Sequence, residues 1–87
     1  MSIALMSYLA KCIRYHRKKG ELTQAQLAQY VGVGETVIFD IEHGKVSIQL
    51  NTLLRVLSML NIHIHFDSPL MKDFKEKNDE RNRIFPD

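Results

Sequence analysis

The sequence contains a single cysteine, Cys12, so no disulfide can form within the chain. No cluster of cysteine and histidine with the spacing of zinc ligands accompanies it, and we expect Cys12 to be a small, buried or half-buried side chain on a helix. No basic segment followed by a long apolar run opens the chain, and no stretch approaches the length that spans a membrane. These absences exclude a disulfide-stabilised fold and a membrane-spanning protein, and we expect a cytoplasmic location.

Catalytic arrangements are absent as well. The sequence has no Ser/His/Asp or Cys/His ordering with supporting residues, no glycine-rich loop that cradles phosphate, and no paired carboxylates suited to a cleft. We therefore predict that the protein is not an enzyme and that it uses no cofactor. Its function is expected to be binding.

Length and charge indicate one small domain. The chain has 87 residues, and its 45% hydrophobic and 25% charged residues are ordinary for a soluble globular protein. A helical domain of this size is often completed by a partner, so dimerisation is the default expectation. The net charge is only +2, but the first twenty residues carry no acidic side chain and the following basic ones: Lys11, Arg14, Arg17, Lys18 and Lys19. This run is either a solvated helix face or a surface that faces nucleic-acid phosphates.

Residues 22–45 predict two short helices joined by a tight turn. Thr23 is a favourable N-cap, and Gln26 three residues later completes a capping-box signature. An apolar stripe at helical spacing follows and is interrupted by Gly32, where a chain that leaves a helix often needs positive φ. The helical period then resumes and stops at Gly44. This outline is that of a helix-turn-helix, although periodicity alone leaves open any αα-hairpin of a small bundle.

Two further helices are predicted on either side of this pair. Residues 3–19 carry one apolar stripe, which Arg17 continues. Residues 50–60 carry the strongest apolar stripe of the chain and are predicted to be core. That stripe consists of Leu50, Leu53, Leu54, Leu57 and Leu60, widened by Val56 and Met59. Asn61 is expected to end this helix, because asparagine tolerates the left-handed conformation.

The alternation of apolar and polar side chains after the fourth helix predicts one short β-strand. Its residues are Ile62, His63, Ile64, His65 and Phe66. No second strand is predicted in the chain, so the backbone groups need the same strand of a second copy, antiparallel across a twofold axis. Ile62, Ile64 and Phe66 would then cover the helical core, while the two histidines face outward. A metal site at these histidines is not predicted, because no Asp, Glu or Cys supports them in sequence.

Many fixed spacings together resemble a known family. The run Leu22-Thr23-Gln24, then Leu27-Ala28, Val31-Gly32-Val33, Ile38, Ile41-Glu42 and Gly44-Lys45, is similar to the Cro/C1-type (Xre) family of helix-turn-helix repressors. A helix-turn-helix followed directly by one alternating strand further resembles HipB-type antitoxins and y4mF-like regulators. The resemblance implies a mostly α, lambda-repressor-like domain of four helices, with one C-terminal β-strand that pairs across a homodimer.

The same resemblance implies roles for individual residues. It implies an ion pair between Arg17 and Glu42, which would tie the first helix to the third. The third helix, predicted over residues 34–43, should be the recognition helix that enters the major groove of DNA. Contacts to DNA phosphates are expected from Arg14, Lys18, Lys19, Gln24, Lys45 and Ser47.

The outward positions of the predicted recognition helix have unusual chemistry for a DNA-reading surface. Base contacts are expected from Glu35, Thr36, Phe39 and Asp40, and no Arg, Lys, Asn or Gln is available there for bidentate contacts. Glu35 would accept from a cytosine amino group, Thr36 would bond to either base edge, and Phe39 would pack on a thymine methyl. Two alternatives stay open: Phe39 lies against a neighbouring helix, and Asp40 repels phosphate unless it is directed away.

We expect a DNA-binding domain over residues 1–66, with the dimerisation strand at residues 62–66, and a charged tail over residues 67–87 that is disordered alone. The tail still contains apolar residues at helical spacing, namely Leu70, Met71 and Phe74. These residues are either unremarkable interruptions of a solvated tail or anchors that fold onto a partner protein. The first predicted function is a type II antitoxin: a homodimer that binds a palindromic operator, represses its own operon and binds a HipA-like kinase toxin. The alternatives are a stand-alone Xre-family repressor and a protein-interaction module with weak DNA binding.

Overall fold

The computed structural model describes residues 3–78, and these form five helices. In chain order they are α1 (Ile3–Lys19), α2 (Gln24–Val31), α3 (Glu35–Glu42), α4 (Leu50–Met59) and α5 (Met71–Lys77). Helix α2 packs against both α3 and α4, and α1 packs against α3. The prediction of four helices around one core is therefore confirmed for the region before residue 61.

One apolar face from each of α1 to α4 supplies the core. Its largest fully buried side chains are Met6, Ile13, Leu27, Ile38, Ile41 and Val56. Burial of an aliphatic side chain of this size contributes about 1.5–3 kcal/mol, so a few such residues account for much of the stability of a small domain. Because two of them lie on α3, the core fixes that helix from its inner side.

The buried face of α4 differs from the predicted leucine stripe. Leu53 and Leu57 are buried as predicted, but Leu50 is 59% exposed and Met59 is 47% exposed. Val56 is fully buried, and the buried residues of α4 extend to Thr52, so the face that meets the core is rotated away from Leu50. The assignment of Leu50 to the core is therefore wrong, because an apolar side chain at helical spacing can still lie beside the contact with α2.

Helix α3 is shorter than the predicted span of residues 34–43. Gly34 has an extended backbone, with φ −73° and ψ 155°, and stands before the helix as its N-cap. The helix ends at Glu42, and Gly44 with φ +77° redirects the chain shortly afterwards. Asn61 has φ +58° and follows Leu60, the C-cap of α4, which confirms the predicted helix stop.

Residues 62–66 form no β-strand, and none is present elsewhere between residues 3 and 78. Strand formation needs a second strand that exchanges backbone N–H and C=O bonds, and the described residues of a single copy supply none. Ile62 is half-buried and packs against the core, whereas Ile64 and Phe66 are 40% and 57% exposed. Of the three apolar side chains predicted to cover the core, Ile62 alone packs against it. Pairing of this segment with a second copy stays a prediction.

The predicted tail is helical in part. Helix α5 has no buried side chain, and an ion pair between Lys77 and Asp73 spans one turn of it at 3.3 Å. Such i, i+4 pairs stabilise a helix only slightly. Residues 71–77 of the predicted tail are thus helical in the structure, while the expectation that the tail is disordered alone stays a prediction. The end of the predicted tail, residues 79–87, lies outside the described residues.

Candidate nucleic-acid interface

Local hydrogen bonds define both ends of α2, including the end that leads into the turn before α3. Thr23 Oγ1 accepts from the backbone N–H of Gln26 at 3.0 Å, and the Gln26 Oε1 atom accepts from the backbone N–H of Thr23 at 2.8 Å. This is the predicted capping box at the start of α2. At the other end Gly32 has φ +86°, a left-handed conformation, and its N–H donates to the Ala28 carbonyl. The chain therefore leaves α2 at one defined angle, and three residues separate the end of α2 from the start of α3.

Helix α3 has one face in the core and one face in solvent. Ile38 and Ile41 are fully buried, while Glu35, Thr36 and Phe39 on the opposite face are exposed. The sequence predicts this division from the 3.6-residue period, and the structure has the same residues on each side. The outward face consequently carries no core side chain.

A buried arginine joins α1 to the end of α3. Arg17 Nε donates to Glu42 Oε2 at 2.6 Å, and Arg17 Nη2 donates to Glu42 Oε1 at 2.9 Å. The two side chains are 9% and 0% exposed, so the bidentate pair is shielded from solvent. The hydrogen bond with Glu42 raises the pKa of Arg17, because its effect together with the attraction of the Glu42 charge exceeds the opposing effect of burial. The structure thus brings together the two residues that the family resemblance pairs.

The same arginine also holds the start of α2. Arg17 Nη1 donates to the Leu22 carbonyl at 2.8 Å, in the loop between α1 and α2. Gln24, the first residue of α2, donates from Nε2 to Glu42 Oε1 at 3.2 Å. Four segments therefore meet at this network: the end of α1, the loop after it, the start of α2 and the end of α3. The Gln24 amide, predicted to hold a phosphate, is half-buried here and engaged with Glu42.

The remaining charge near α3 is partly neutralised. Asp40 Oδ2 lies 3.5 Å from Lys45 Nζ, and the backbone N–H of Lys45 donates to the Asp40 carbonyl at 3.0 Å. The Lys45 side chain is 53% exposed, so this pair adds little to stability, yet it places a cation beside the carboxylate. Two of the three carboxylates on α3, those of Asp40 and Glu42, therefore have a cationic neighbour. The third, Glu35, lies in the first turn, where a helix dipole favours negative charge.

The predicted phosphate-contacting cations of α1 form an exposed surface. Arg14, Lys18 and Lys19 line a shallow groove together with Lys11 and Tyr15. Lys19 Nζ lies 5.6 Å from the centre of the Tyr15 ring, within the range of a cation–π contact. Lys45 and Ser47 are exposed in the loop between α3 and α4. These side chains are accessible to a polyanion without any change of fold.

One feature of the outward face was missed from the sequence. The ring of His43 stacks on the ring of Phe39, with centroids 3.8 Å apart and an interplanar angle of 22°. The signal available in the sequence was an aromatic residue and a histidine four positions apart, which places both on one side of a helix. The helix was predicted to include His43, but no role was assigned to its side chain.

Other classes of site find no support in the described part of the chain. Between residues 3 and 78, no group of three or more His, Cys, Asp and Glu side chains is arranged to hold a metal ion. None of the helices in the same range combines the length and the apolar character needed to cross a lipid bilayer.

Comparison with known proteins identifies the class. The model of a family described as helix-turn-helix matches residues 13–66. The chain therefore belongs to the helix-turn-helix family of the Xre, or Cro/C1, type, and the predicted family is confirmed. It is also similar to a protein of Sinorhizobium fredii (strain NBRC 101917 / NGR234) named as an uncharacterized HTH-type transcriptional regulator, y4mF. The two are 39% identical over 57 residues, which span 66% of this chain and 75% of that protein. This family is one of DNA-binding regulators and not of enzymes.

Proposed function

We propose that this protein is a transcriptional repressor that binds double-stranded DNA with α3 in the major groove. The observation that carries the proposal is the outward face of α3, which is exposed and takes no part in the core. The hydrogen bonds of Arg17 and Gln24 to Glu42 meanwhile hold the end of this helix against α1 and α2. A recognition helix needs both properties, because base contacts require a rigid support and a free surface. The family, and the name of the related protein from Sinorhizobium fredii, support the same function.

Base recognition is proposed for four side chains at or near the start of the outward face: Glu35, Thr36, Phe39 and Asp40. Glu35 and Thr36 lie in the first turn of α3, the end that enters the groove in this class of protein. Phe39 offers an apolar surface for a thymine methyl. Asp40 is half-buried and beside Lys45, so its charge is partly screened from nearby phosphates. The acidic residues are therefore compatible with an approach to DNA.

Phosphate contacts are proposed for the exposed cations of α1 and for the loop after α3. Arg14, Lys18 and Lys19 would contact one strand, and Lys45 with Ser47 the backbone near the end of α3. Gln24 would add a contact only by sharing its amide, which already donates to Glu42. These contacts would fix the orientation of the protein without reading sequence.

A salt titration tests this function directly. The full chain is titrated onto its own upstream promoter fragment and onto an unrelated fragment, at about 50 mM and about 200 mM salt. If two protomers together make six to ten phosphate contacts, affinity should fall by roughly 10³- to 10⁵-fold between these concentrations. Selective binding to the promoter fragment with this salt dependence supports the repressor. Weak or salt-independent binding to both fragments contradicts it and favours a protein-interaction module.

A homodimer is part of the proposal. Residues 62–66 follow α4, and residues 3–78 include no strand that could pair with them. The exposed side chains of Ile64 and Phe66 would be covered if two copies paired there. Two recognition helices would then sit about 34–36 Å apart and require a palindromic operator. Ile64→Asp should convert the dimer to a monomer in sedimentation experiments, because it buries a charge in the pairing surface. Leu50→Asp, at an exposed position on α4, is the matched control and should remain dimeric. An unchanged dimer in Ile64→Asp would contradict this interface.

An antitoxin role is the second candidate. The observation that favours a protein partner is the exposed apolar surface near α5, where Phe66, Leu70 and Phe74 are 57%, 74% and 45% exposed. Surfaces of this kind commonly mark protein interfaces. The candidate partner is a HipA-like kinase encoded by the adjacent gene. Calorimetric titration of that gene product with this chain should show a complex, and Phe74→Ala should weaken it. If no complex forms, or if the adjacent gene encodes no such kinase, the antitoxin role is refuted. The proposed repressor function does not depend on this result.

A further inference from the structure

The outward face of α3 carries a stacked aromatic pair, and the proposed base contacts include Phe39 but not His43. Glu35, Phe39 and His43 follow one another at four-residue spacing, so they lie along one line of the helix surface. Phe39 is 47% exposed, and His43 is also exposed. The two rings overlap with centroids 3.8 Å apart and planes inclined by 22°. The His43 ring therefore covers one face of the Phe39 ring near the C-terminal end of α3.

Hydrogen bonds to one carbonyl fix the orientation of the His43 ring. The Phe39 carbonyl accepts from the backbone N–H of His43 at 3.0 Å, and His43 Nδ1 lies 2.7 Å from the same oxygen. A carbonyl oxygen can only accept, so Nδ1 carries the hydrogen and donates it. The imidazole is thus attached to the backbone at one edge while its face covers one side of the Phe39 ring.

The consequence concerns the freedom of Phe39. An exposed phenylalanine on a helix samples more than one side-chain rotamer in water, and ordering it during DNA binding costs free energy. A ring held on one face by His43 is already ordered, and only its other face and its edge remain available for contact. That is the arrangement required for packing against a thymine methyl group, which offers an apolar surface and no hydrogen bond.

We propose that His43 is a positioning residue for base recognition: it holds the Phe39 ring in the orientation that reads a thymine methyl. The inference rests on the proposed function as a DNA-binding regulator. His43 acts through Phe39 and makes no base contact of its own in this role. Its effect is therefore on which base pair is preferred at one position of each half-site, not on the general attraction of the protein for DNA.

The test selects bound duplexes from a pool of double-stranded DNA with a randomised centre and sequences them for each variant. Wild type should enrich thymine at one position per half-site, and Phe39→Ala should lose that preference. His43→Ala should reduce it by roughly 2- to 12-fold at the same position, the range expected for one aromatic pair. His43→Phe keeps a ring that can stack but loses the Nδ1 hydrogen bond to the Phe39 carbonyl, so it should restore part of the preference. The double variant F39A/H43A should lose no more than Phe39→Ala alone.

The chain offers a matched control in His16. Its Nδ1 atom lies 2.7 Å from the Cys12 carbonyl four residues earlier, and its ring contacts Tyr15 edge-on. It is exposed on α1 and is not among the proposed DNA contacts. His16→Ala removes the same kind of side chain and should leave the selected sequences unchanged. Thermal unfolding of every variant shows whether each is folded.

The outcomes separate the two proposals. If wild type enriches no sequence, the DNA-binding function is refuted and the positioning role with it. If wild type enriches a motif that His43→Ala retains in full, only the positioning role is refuted. The same holds if His43→Ala weakens binding to every sequence equally, or if His43→Phe restores no part of a lost preference.

Discussion

Removal of Arg17 should test how much the fold depends on the network at the end of α3. Arg17→Met keeps most of the side-chain volume but leaves the Glu42 carboxylate, which is 0% exposed, without its cationic partner. Breaking a buried ion pair in this way costs about 3–5 kcal/mol. A domain of this length has a total free energy of unfolding of roughly 4–13 kcal/mol, at 0.05–0.15 kcal/mol per residue. The substitution should therefore remove a large share of the stability.

The assay is urea and thermal unfolding followed by far-UV circular dichroism. A loss of about 3 kcal/mol corresponds to a decrease in Tm of roughly 12–24 °C for a domain of this size. Arg14→Met is the matched control, since Arg14 lies on the same helix and is exposed, and it should change the free energy of unfolding by less than about 0.5 kcal/mol. The double variant R17M/E42L should recover at least about 2 kcal/mol relative to either single variant, because the unpaired charge is gone.

The pH dependence follows from the direction of the pKa shift. The Arg17 pKa is raised in the folded protein, so its contribution to stability is complete below the unfolded pKa and is lost only as pH rises through the folded value. Both values lie far above neutrality. The difference between wild type and Arg17→Met due to Arg17 titration should therefore be the same at about pH 7 and about pH 9. A loss below about 1 kcal/mol in Arg17→Met, or a double variant no better than Arg17→Met, would refute the reasoning.

Two further predictions concern the turn and the cationic face. Gly32→Ala should lower the free energy of unfolding by about 1–2 kcal/mol in urea titrations, because φ +86° strains any residue with a Cβ although space is available. Gly20→Ala is the control: Gly20 has no positive φ, so the free energy of unfolding should change by less than about 0.5 kcal/mol. Equal losses in the two variants would contradict this account. Lys18→Gln should reduce the salt dependence of DNA binding by about one unit of slope per protomer without altering sequence preference, whereas Lys72→Gln on α5 should not; an unchanged slope in Lys18→Gln would remove that residue from the phosphate contacts.

Local signals in the sequence account for the elements that the sequence predicted correctly. The capping box at Thr23 and the left-handed positions at Gly32 and Asn61 depend on neighbouring residues alone, and the structure has all three. The division of α3 into inner and outer faces follows from its period in the same way.

The features that the sequence did not predict depend on packing between elements or on a second copy. Leu50 has the spacing of a core residue, but the contact between α2 and α4 selects a face that excludes it. The stack of His43 on Phe39 depends on the rotamers of two exposed rings, which spacing does not determine. The predicted pairing of residues 62–66 needs a second copy, because the part of the chain that the structure describes contains no strand. The candidate base and phosphate contacts likewise remain predictions, because each of them is a contact between the protein and bound DNA.

The division of α3 into a buried face and an exposed face has a consequence for how the DNA sequence preference of this protein can change. Ile38, Ile41 and Glu42 secure the helix to the rest of the domain, whereas Glu35 and Thr36 take no part in the core. Substitutions at the exposed positions should therefore be close to neutral for folding, as is usual for surface sites. A gene duplicate could thus acquire a new operator through a few changes on one helical face, while the buried residues that maintain the scaffold stay as they are.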